Sequence, residues 1–466
     1  MAVMPVAAPV HLDALGPRGA YRTRHPSPVT DVSGREVARL SLVPPVYVTR
    51  AMAALRRAEP VPAAELDGVL ATAGDAFVSD TIDGLSVREY EYLVSRTSGT
   101  PISVVRAATA ETAHFLRQAH SSAQQGRPRG AAAGGWDGPA VRSGHAVWVR
   151  QGEVFAVNAS GNHPGVHRLW LEALTLGYRV AVRPSQREPF TPYRLVGALR
   201  QAGVRDDQLV LLPTDHRTAD SVVRGADRAV VYGGDDVIAK YAHDSRVLPQ
   251  GPGRTKILIT ADTDWREHLD MIVGSISAEG GTACVNTTAV LVEGDPAPLA
   301  EAITARLAAL PSLPPQDERA VLPVCPSGRA GAVSSHLREV AAGTRAWLGG
   351  NGVAHDLGDG SAVLRPAVHQ VDHADAGQLR TELAFPCVWL APWSREDGIG
   401  PLRHTLVLSA LTRDSALLDA LLAEPTISNL YIGGHPTCLM APGVPHDSYL
   451  SDFLMRSKAV IGPGPF

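Results

Sequence analysis

Beyond residue 150 the chain alternates short apolar runs with amphipathic segments of helix length, and few folds accommodate that rhythm. EVFAVNAS (153–160) reads as a buried strand, and HPGVHRLWLEALTLG (163–177) as a helix closed by a glycine. YRVAVRPS (178–185) is a second strand, and TPYRLVGALRQAG (191–203) a helix ending at Gly203. QLVLLPT, TADSVVRGA, RAVVYGG and DDVIAKYA continue the pattern. Strands separated by helices of this length need right-handed crossovers, so an α/β fold with a doubly wound parallel sheet is expected. Ligands bind such sheets at the carboxyl ends of the strands. A second unit starts near residue 254, with RTKILITAD and TTAVLVEG as strands and DWREHLDMIVGSISAE and PAPLAEAITARLAAL as helices. LPQGPGR (248–254), short and rich in breakers, reads as the join. Two α/β domains facing each other across a crevice would then form the site.

The first third is less regular. VTDVSGREVARLSL (29–42) reads as a hairpin turning at Ser33-Gly34, and 46–125 as mostly helical. QQGRPRGAAAGGWDGPAVRSG (124–144) is a Gly/Pro/Arg-rich break. A chain of 466 residues is too long for one core. With 45% hydrophobic and 19% charged residues it should fold as a globular protein. A net charge of −4 and scattered Lys and Arg leave no footprint for nucleic acid or a membrane surface. No apolar run is long enough for a membrane span. MAVMPVAAPVHLDALGPRG has no charged region ahead of a long apolar stretch, so a cytoplasmic protein is expected. Four cysteines without a CxxC pair speak against a disulfide framework or a zinc site, so an important cysteine would act as a thiol.

One cysteine stands out. EGGTACVNTTAVLV (279–292) places Cys284 on a Gly-rich turn between a helix and a strand, where backbone N–H groups can approach a substrate oxygen. Taken alone, an inert buried thiol would be the commoner outcome. Its companions are GNHPG (161–165), VRPSQ (182–186), YGGDD (232–236) and TELAFP (381–386). In this order and at these separations the segments resemble the aldehyde dehydrogenase superfamily over roughly residues 150–440. The nearest branch is the acyl-CoA reductases, including the fatty-acyl reductase of bacterial luminescence.

The resemblance implies catalytic roles for Cys284 as nucleophile and Asn162 as oxyanion donor, with Asn158 as the rival donor and His163 as a spacer. It implies NADP or NAD as cofactor. Arg183, Ser185 and Gln186 would meet the adenosine ribose, Gly233 and Gly234 the pyrophosphate, and Glu382 the nicotinamide ribose. Gln186 stands where the family has a ribose-binding glutamate; losing that carboxylate removes a clash with a 2′-phosphate. Asp235 and Asp236 depart from the pattern and would repel phosphate if aimed at it. No metal is implied. A homodimer or homotetramer is expected, paired through residues 125–150 and 435–466. The NAD(P)-binding domain would take 1–124 and 151–250, and the catalytic domain 251–434.

The most telling feature is an absence. Hydrolytic members carry a base glutamate where this chain has Gln250, 34 residues before Cys284. A glutamine cannot take a proton from water, and such assistance is worth roughly 10²–10⁴-fold. A thiol can replace water as acyl acceptor. The expected reaction is therefore reduction of an acyl thioester, of coenzyme A or an acyl carrier protein, to an aldehyde. Oxidation of an aldehyde to an acid or thioester is the alternative, with Glu279 as base through water, although its position also reads as the last turn of a helix. A non-catalytic family member is a third reading. Cys325, in a loop, Cys387 and Cys438 are expected to be structural, and His435 and His446 solvated.

Overall fold

The computed structural model describes residues 8–143 and 146–461. The outermost ends of the segments 1–124 and 435–466, and positions 144 and 145 within 125–150, lie outside the described residues.

Five parallel strands form the heart of the first sheet: β1 (Val154–Asn158), β2 (Arg179–Arg183), β3 (Leu209–Leu211), β4 (Arg228–Tyr232) and β5 (Val247–Gln250), in the order β5-β4-β1-β2-β3. The antiparallel hairpin of Ala14–Gly16 and Gly19–Tyr21 extends it beyond β3. Strands buried on both faces read as nearly continuous apolar runs, as VFAVN and RAVVY do. Alternate residues serve opposite faces. Phe155, Val157, Val180 and Val182 pack with Phe190 and Leu195 of the helix α2 (Phe190–Gln201). Val154, Ala156, Ala181 and Val231 pack with Val222 and Val223 of α3 (His216–Gly225) on the other side. Replacing one of these large aliphatic side chains by alanine costs about 2–5 kcal/mol.

The second sheet holds β6 (Thr255–Ile259), β7 (Thr287–Glu293), β8 (Ala367–Gln370), β9 (Cys387–Trp393), β10 (Thr405–Leu411) and β11 (Ile427–Ile432), parallel in the order β8-β9-β7-β6-β10-β11. Arg345–Leu348 adds an antiparallel edge beside β8. α4 (Leu269–Ser277) and α5 (Ala297–Ala308) cover one face through Ile272, Ile276, Leu299 and Ile303.

Two expectations need correction, and a third gains a strand. LPQGPGR is only partly a join, because Val247–Gln250 completes the first sheet as its edge strand. Pro249 hid it from the sequence pattern, and an edge strand tolerates a proline since one side of its ladder is free. Cys325 is not in a loop but in the short buried strand Val324–Pro326. The hairpin turning at Ser33-Gly34 forms, but Val10–Leu12 joins it as a third, parallel strand. The 125–150 and 435–466 segments meet within this chain, where Met455–Ala459 pairs antiparallel with Ala146–Arg150.

Strand order places the site. The chain leaves β1 for β2 on one side and later for β4 on the other, so the carboxyl ends of β1 and β4 flank a crevice. The second sheet meets it with its amino ends: Gly253 and Arg254 precede β6, Cys284 precedes β7, and Glu382 precedes β9. Among the described residues no helix is long and apolar enough to cross a membrane.

Candidate active site

The turn that carries Cys284 is held in a form few sequences allow. Glu279, Gly280 and Gly281 are consecutively left-handed, with φ of 54°, 72° and 65°. A Cβ on Gly281 would lie 2.5 Å from the Pro386 nitrogen, so glycine is required there on two counts. The buried Asn286 ties the turn from inside. Its Nδ2 donates to the Ser275 and Ala278 carbonyls, and its Oδ1 accepts from the Ala283 N–H at 2.9 Å. Thr255 Oγ1 donates to the Cys284 carbonyl at 2.9 Å, and a Cβ on Gly253 would lie 1.9 Å from that oxygen. The result is a thiol fixed by its backbone, in the wall of a cavity of about 440 Å³.

Across the cavity, the loop after β11 brings His446 to the thiol, with Nε2 3.2 Å from Cys284 Sγ. Its other ring nitrogen, Nδ1, stands 3.6 Å from Asp447 Oδ1, an ion-pair distance rather than a tight hydrogen bond. Asp447 Oδ2 accepts from Gln250 Nε2 at 3.0 Å. Burial disfavours charge on His446, but the Cys284 and Asp447 charges outweigh it and push the imidazole up to about 10. Asp447 is held below the usual carboxylate range: burial works against this, and the contacts with His446 and Gln250 prevail.

Of the residues singled out from the sequence, Cys284, Asn162, Gly233, Gly234 and Glu382 line this one cavity. Asn162 Nδ2 donates to the Thr282 carbonyl at 3.0 Å and its Oδ1 accepts from Ser160 Oγ at 2.5 Å. An amide carries two N–H bonds, so one remains for an oxyanion. His163 accepts the Gly165 N–H on Nδ1 at 3.0 Å, and burial lowers its pKa. Glu382 accepts the Arg254 N–H at 2.8 Å; burial pushes its carboxyl up to about 7 despite that bond. The Arg254 guanidinium grips both oxygens of Asp235 at 2.7 Å, across the mouth beside Gly233 and Gly234. Arg183, Ser185 and Gln186 are gathered elsewhere, at the carboxyl end of β2. Arg183 and Gln186 both donate to the Thr214 carbonyl, at 3.2 and 3.0 Å, and Ser185 Oγ accepts from the Arg187 N–H at 3.2 Å. The far end of the cavity mixes apolar walls, among them Phe115 and Met440, with an Arg168–Glu111 ion pair at 2.7 Å and the buried Glu172.

The sequence matches the Aldehyde dehydrogenase family over residues 36–399. The chain belongs to that family. A 141-residue stretch is 26% identical to a probable methylmalonate-semialdehyde/malonate-semialdehyde dehydrogenase [acylating], mitochondrial, of Caenorhabditis elegans, covering 28% of this chain and 27% of that protein. The matched stretches span about a quarter to a third of the length of the curated relatives. Among solved structures, the aldehyde dehydrogenase KauB from Pseudomonas aeruginosa superposes with a TM-score of 0.81 at 18% identity, covering 97% of each chain. An NAD-dependent aldehyde dehydrogenase from Sinorhizobium meliloti gives 0.80 at 19% identity, covering 98% of this chain and 97% of its own. At such identities the likeness establishes the fold.

The loop after β11 contributes to this site a partner for the thiol. His446 is not solvated: its side chain is 14% exposed and touches Cys284. Asp447 drew no attention in the sequence. A His-Asp pair in a Gly/Pro-rich loop signals nothing until one knows what the loop covers, and here it covers a thiol 162 residues earlier. Cys438 also lines the cavity, while Cys325 and Cys387 are buried away from it. Glu279 sits in a left-handed turn, not the last turn of a helix, with Oε2 3.4 Å from His163 Nε2. No group of three or more metal-ligating side chains occurs among the described residues.

Proposed function

We propose that this chain oxidises an aldehyde with NAD or NADP and passes the acyl group from Cys284 to a thiol, forming a thioester. The observation that carries the reading is the 3.2 Å contact between Cys284 Sγ and His446 Nε2, inside a cavity that continues to the Gly233–Gly234 turn and Glu382. A thiol beside a buried imidazole is a poised nucleophile.

The residues present fit a nicotinamide nucleotide. The cavity opens at the switch point of the first sheet, and Asn158 Oδ1, buried at the carboxyl end of β1, has no protein partner. Arg254 offsets the charge of Asp235 at the turn where a pyrophosphate would lie. In this reading Gly233 and Gly234 hold the pyrophosphate, Glu382 the nicotinamide ribose, and Arg183, Ser185 and Gln186 the adenosine side. When bound, the nucleotide supplies the hydride acceptor. Cys284 adds to the aldehyde carbon, and the free N–H of Asn162 steadies the oxygen as it becomes negative. Loss of hydride leaves an acyl thioester on Cys284.

Gln250 favours a thiol over water as the acceptor, and the C. elegans relative is named as acylating. The resemblance of the sequence to acyl-CoA reductases supports the same chemistry run backwards, from thioester to aldehyde. Pairing through the 125–150 and 435–466 segments belongs to the same proposal. The test is a panel of aldehydes with NAD or NADP, with and without coenzyme A, beside acyl-CoAs with the reduced nucleotides. Thiol-dependent nucleotide reduction, absent from Cys284→Ala, is expected. Acid formed without thiol would replace this reading by a hydrolytic one. Silence in both directions would point to a member that no longer catalyses.

A further inference from the structure

We infer that Gln250, Asp447 and His446 form a relay on Cys284, in which His446 is the acid–base group of the reaction. Gln250 is then not a vacated base but the brace that holds Asp447 in place. The inference rests on Cys284 being the acyl carrier.

The geometry runs in one line. Gln250 Nε2 donates to Asp447 Oδ2 at 3.0 Å, Asp447 Oδ1 lies 3.6 Å from His446 Nδ1, and His446 Nε2 lies 3.2 Å from Cys284 Sγ. The four members come from three supports, His446 and Asp447 sharing the loop after β11. Gln250 ends β5, where its backbone is in register with Tyr232, and it is 7% exposed. Cys284 sits on the glycine turn. His446 is held by its carbonyl, which accepts from the buried Asn429 on β11. The charged or titratable groups facing His446 are Cys284 and Asp447, with Tyr232 behind them; the Tyr232 hydroxyl donates to the Val166 carbonyl, and burial keeps it protonated.

Position 250 must donate here. Asp447 accepts from it, and a glutamate would set two carboxylates about 3 Å apart, forcing one to take up a proton or move away. The glutamine and the aspartate therefore belong together. Restoring an acidic side chain at 250 would break the relay rather than repair a base.

The proton accounting closes. In the reacting pair the proton has passed to His446 and the sulfur attacks as a thiolate. Attack forms the C–S bond and moves the carbonyl π pair onto oxygen. That pair re-forms the C=O bond as hydride leaves carbon for the nucleotide. The thiolate charge is now spent in the C–S bond, so His446 loses its anionic partner and releases its proton to solvent. The neutral imidazole takes the proton of the incoming thiol, whose sulfur attacks the acyl carbon. Cys284 then leaves as thiolate and pairs again with protonated His446. The sum is aldehyde, oxidised nucleotide and thiol giving thioester, reduced nucleotide and one proton.

The test uses the full chain and iodoacetamide, with alkylation of Cys284 located by peptide mass. At pH 6 the wild type should be alkylated about tenfold or more faster than His446→Gln. Asp447→Asn and Gln250→Leu should fall between them, with the difference shrinking at high pH, a dependence that mere loosening of the fold would not give. Should His446→Gln fail to fold, Asp447→Asn carries the comparison. In Gln250→Glu, thiol-dependent turnover should fall without acid appearing. Equal alkylation rates in wild type and His446→Gln, with turnover through Cys284 intact, would overturn the relay and leave the proposed function standing. Acid production by Gln250→Glu at the wild-type thiolysis rate would overturn the brace. Fast, His446-dependent alkylation without any turnover would sustain the relay as a thiol-activating pair and refute the function on which its catalytic part rests.

Discussion

The two walls that meet at Cys284 are built in opposite ways. The Cys284 turn, residues 278–286, is knotted from inside by Asn286, bent through three left-handed residues and backed by Pro386 and Thr255. The facing loop, 433–447, leaves Leu439 and Val444 exposed and is tied down at a few polar points. Asn429 holds the His446 carbonyl. Ser122 Oγ donates to Glu172 Oε1 at 2.7 Å and accepts from the Gly443 N–H at 2.9 Å, pinning the loop to the first domain. One wall fixes the position of a thiol. The other delivers charge to that point, and a few anchors suffice because only one imidazole must arrive.

The largest expected effect separates two cysteines of the same cavity. Cys284→Ala should abolish thiol-dependent turnover and covalent labelling, whereas Cys438→Ala should keep turnover within a few-fold. Cys284 meets a charged partner at 3.2 Å; Cys438 packs with Val285 and Leu406, and burial pushes its thiol up, away from the reactive thiolate. Comparable losses in both variants would break the distinction between the walls.

The next effect concerns the loop's anchor and depends on pH. Glu172 is 6% exposed, and burial pushes its carboxyl up to about 7, with the Ser122 bond opposing the shift. A carboxyl raised on folding favours the protonated form. Its contribution is whole below about pH 4.5 and is lost as the pH rises through about 7. Glu172→Gln does not titrate. Relative to wild type, the variant should therefore gain about 3 kcal/mol of stability between pH 4.5 and 8, read from denaturant unfolding at both values. An unchanged difference between the two pH values would mean that Glu172 is better solvated than its burial indicates.

What the sequence revealed divides along the same line. The Cys284 wall is local: a glycine pair, a cysteine and a following apolar strand lie within fourteen residues, so Cys284 could be picked out. The strand alternation likewise marked four of the five parallel strands of the first sheet and the first two of the second, because parallel strands buried on two faces announce themselves. The facing wall is made of long-range meetings. His446 reaches Cys284, Asp447 reaches Gln250, and Ser122 reaches Gly443, each across more than a hundred residues. No periodicity marks such a meeting. Gln250 was legible only as a missing carboxylate, since the aspartate that gives an amide its purpose comes 197 residues later. Asn286 was overlooked for a simpler reason: an asparagine two residues after a candidate nucleophile looks like turn chemistry, not a buried knot.

Asn286→Ala tests that knot and should cost about 1–3 kcal/mol, because the buried Ser275 carbonyl and the half-buried Ala283 N–H and Ala278 carbonyl lose a partner. The thiol turn would loosen with it, so alkylation of Cys284 should change its rate as well as the melting temperature falling. Stability lost without any change at Cys284 would show that the glycines alone set the turn.

The smallest effect is expected where the facing wall is apolar. Leu439 is 49% exposed, and its polar contacts run through its backbone: the N–H donates to the Pro436 carbonyl at 3.1 Å and the carbonyl accepts from Tyr431 Oη at 2.7 Å, and both survive any side-chain change. Leu439→Ser should therefore alter stability by less than about 0.5 kcal/mol and leave Cys284 alkylation unchanged. A larger loss would mean that the side chain is covered in solution, as it would be if a second copy of the chain lay against this loop. That result would turn the facing wall from one held at a few polar points into one completed by an apolar contact. Sedimentation of wild type and variant would then decide between the two accounts, since an interface weakened by Leu439→Ser shifts the assembly state, and a local repacking does not.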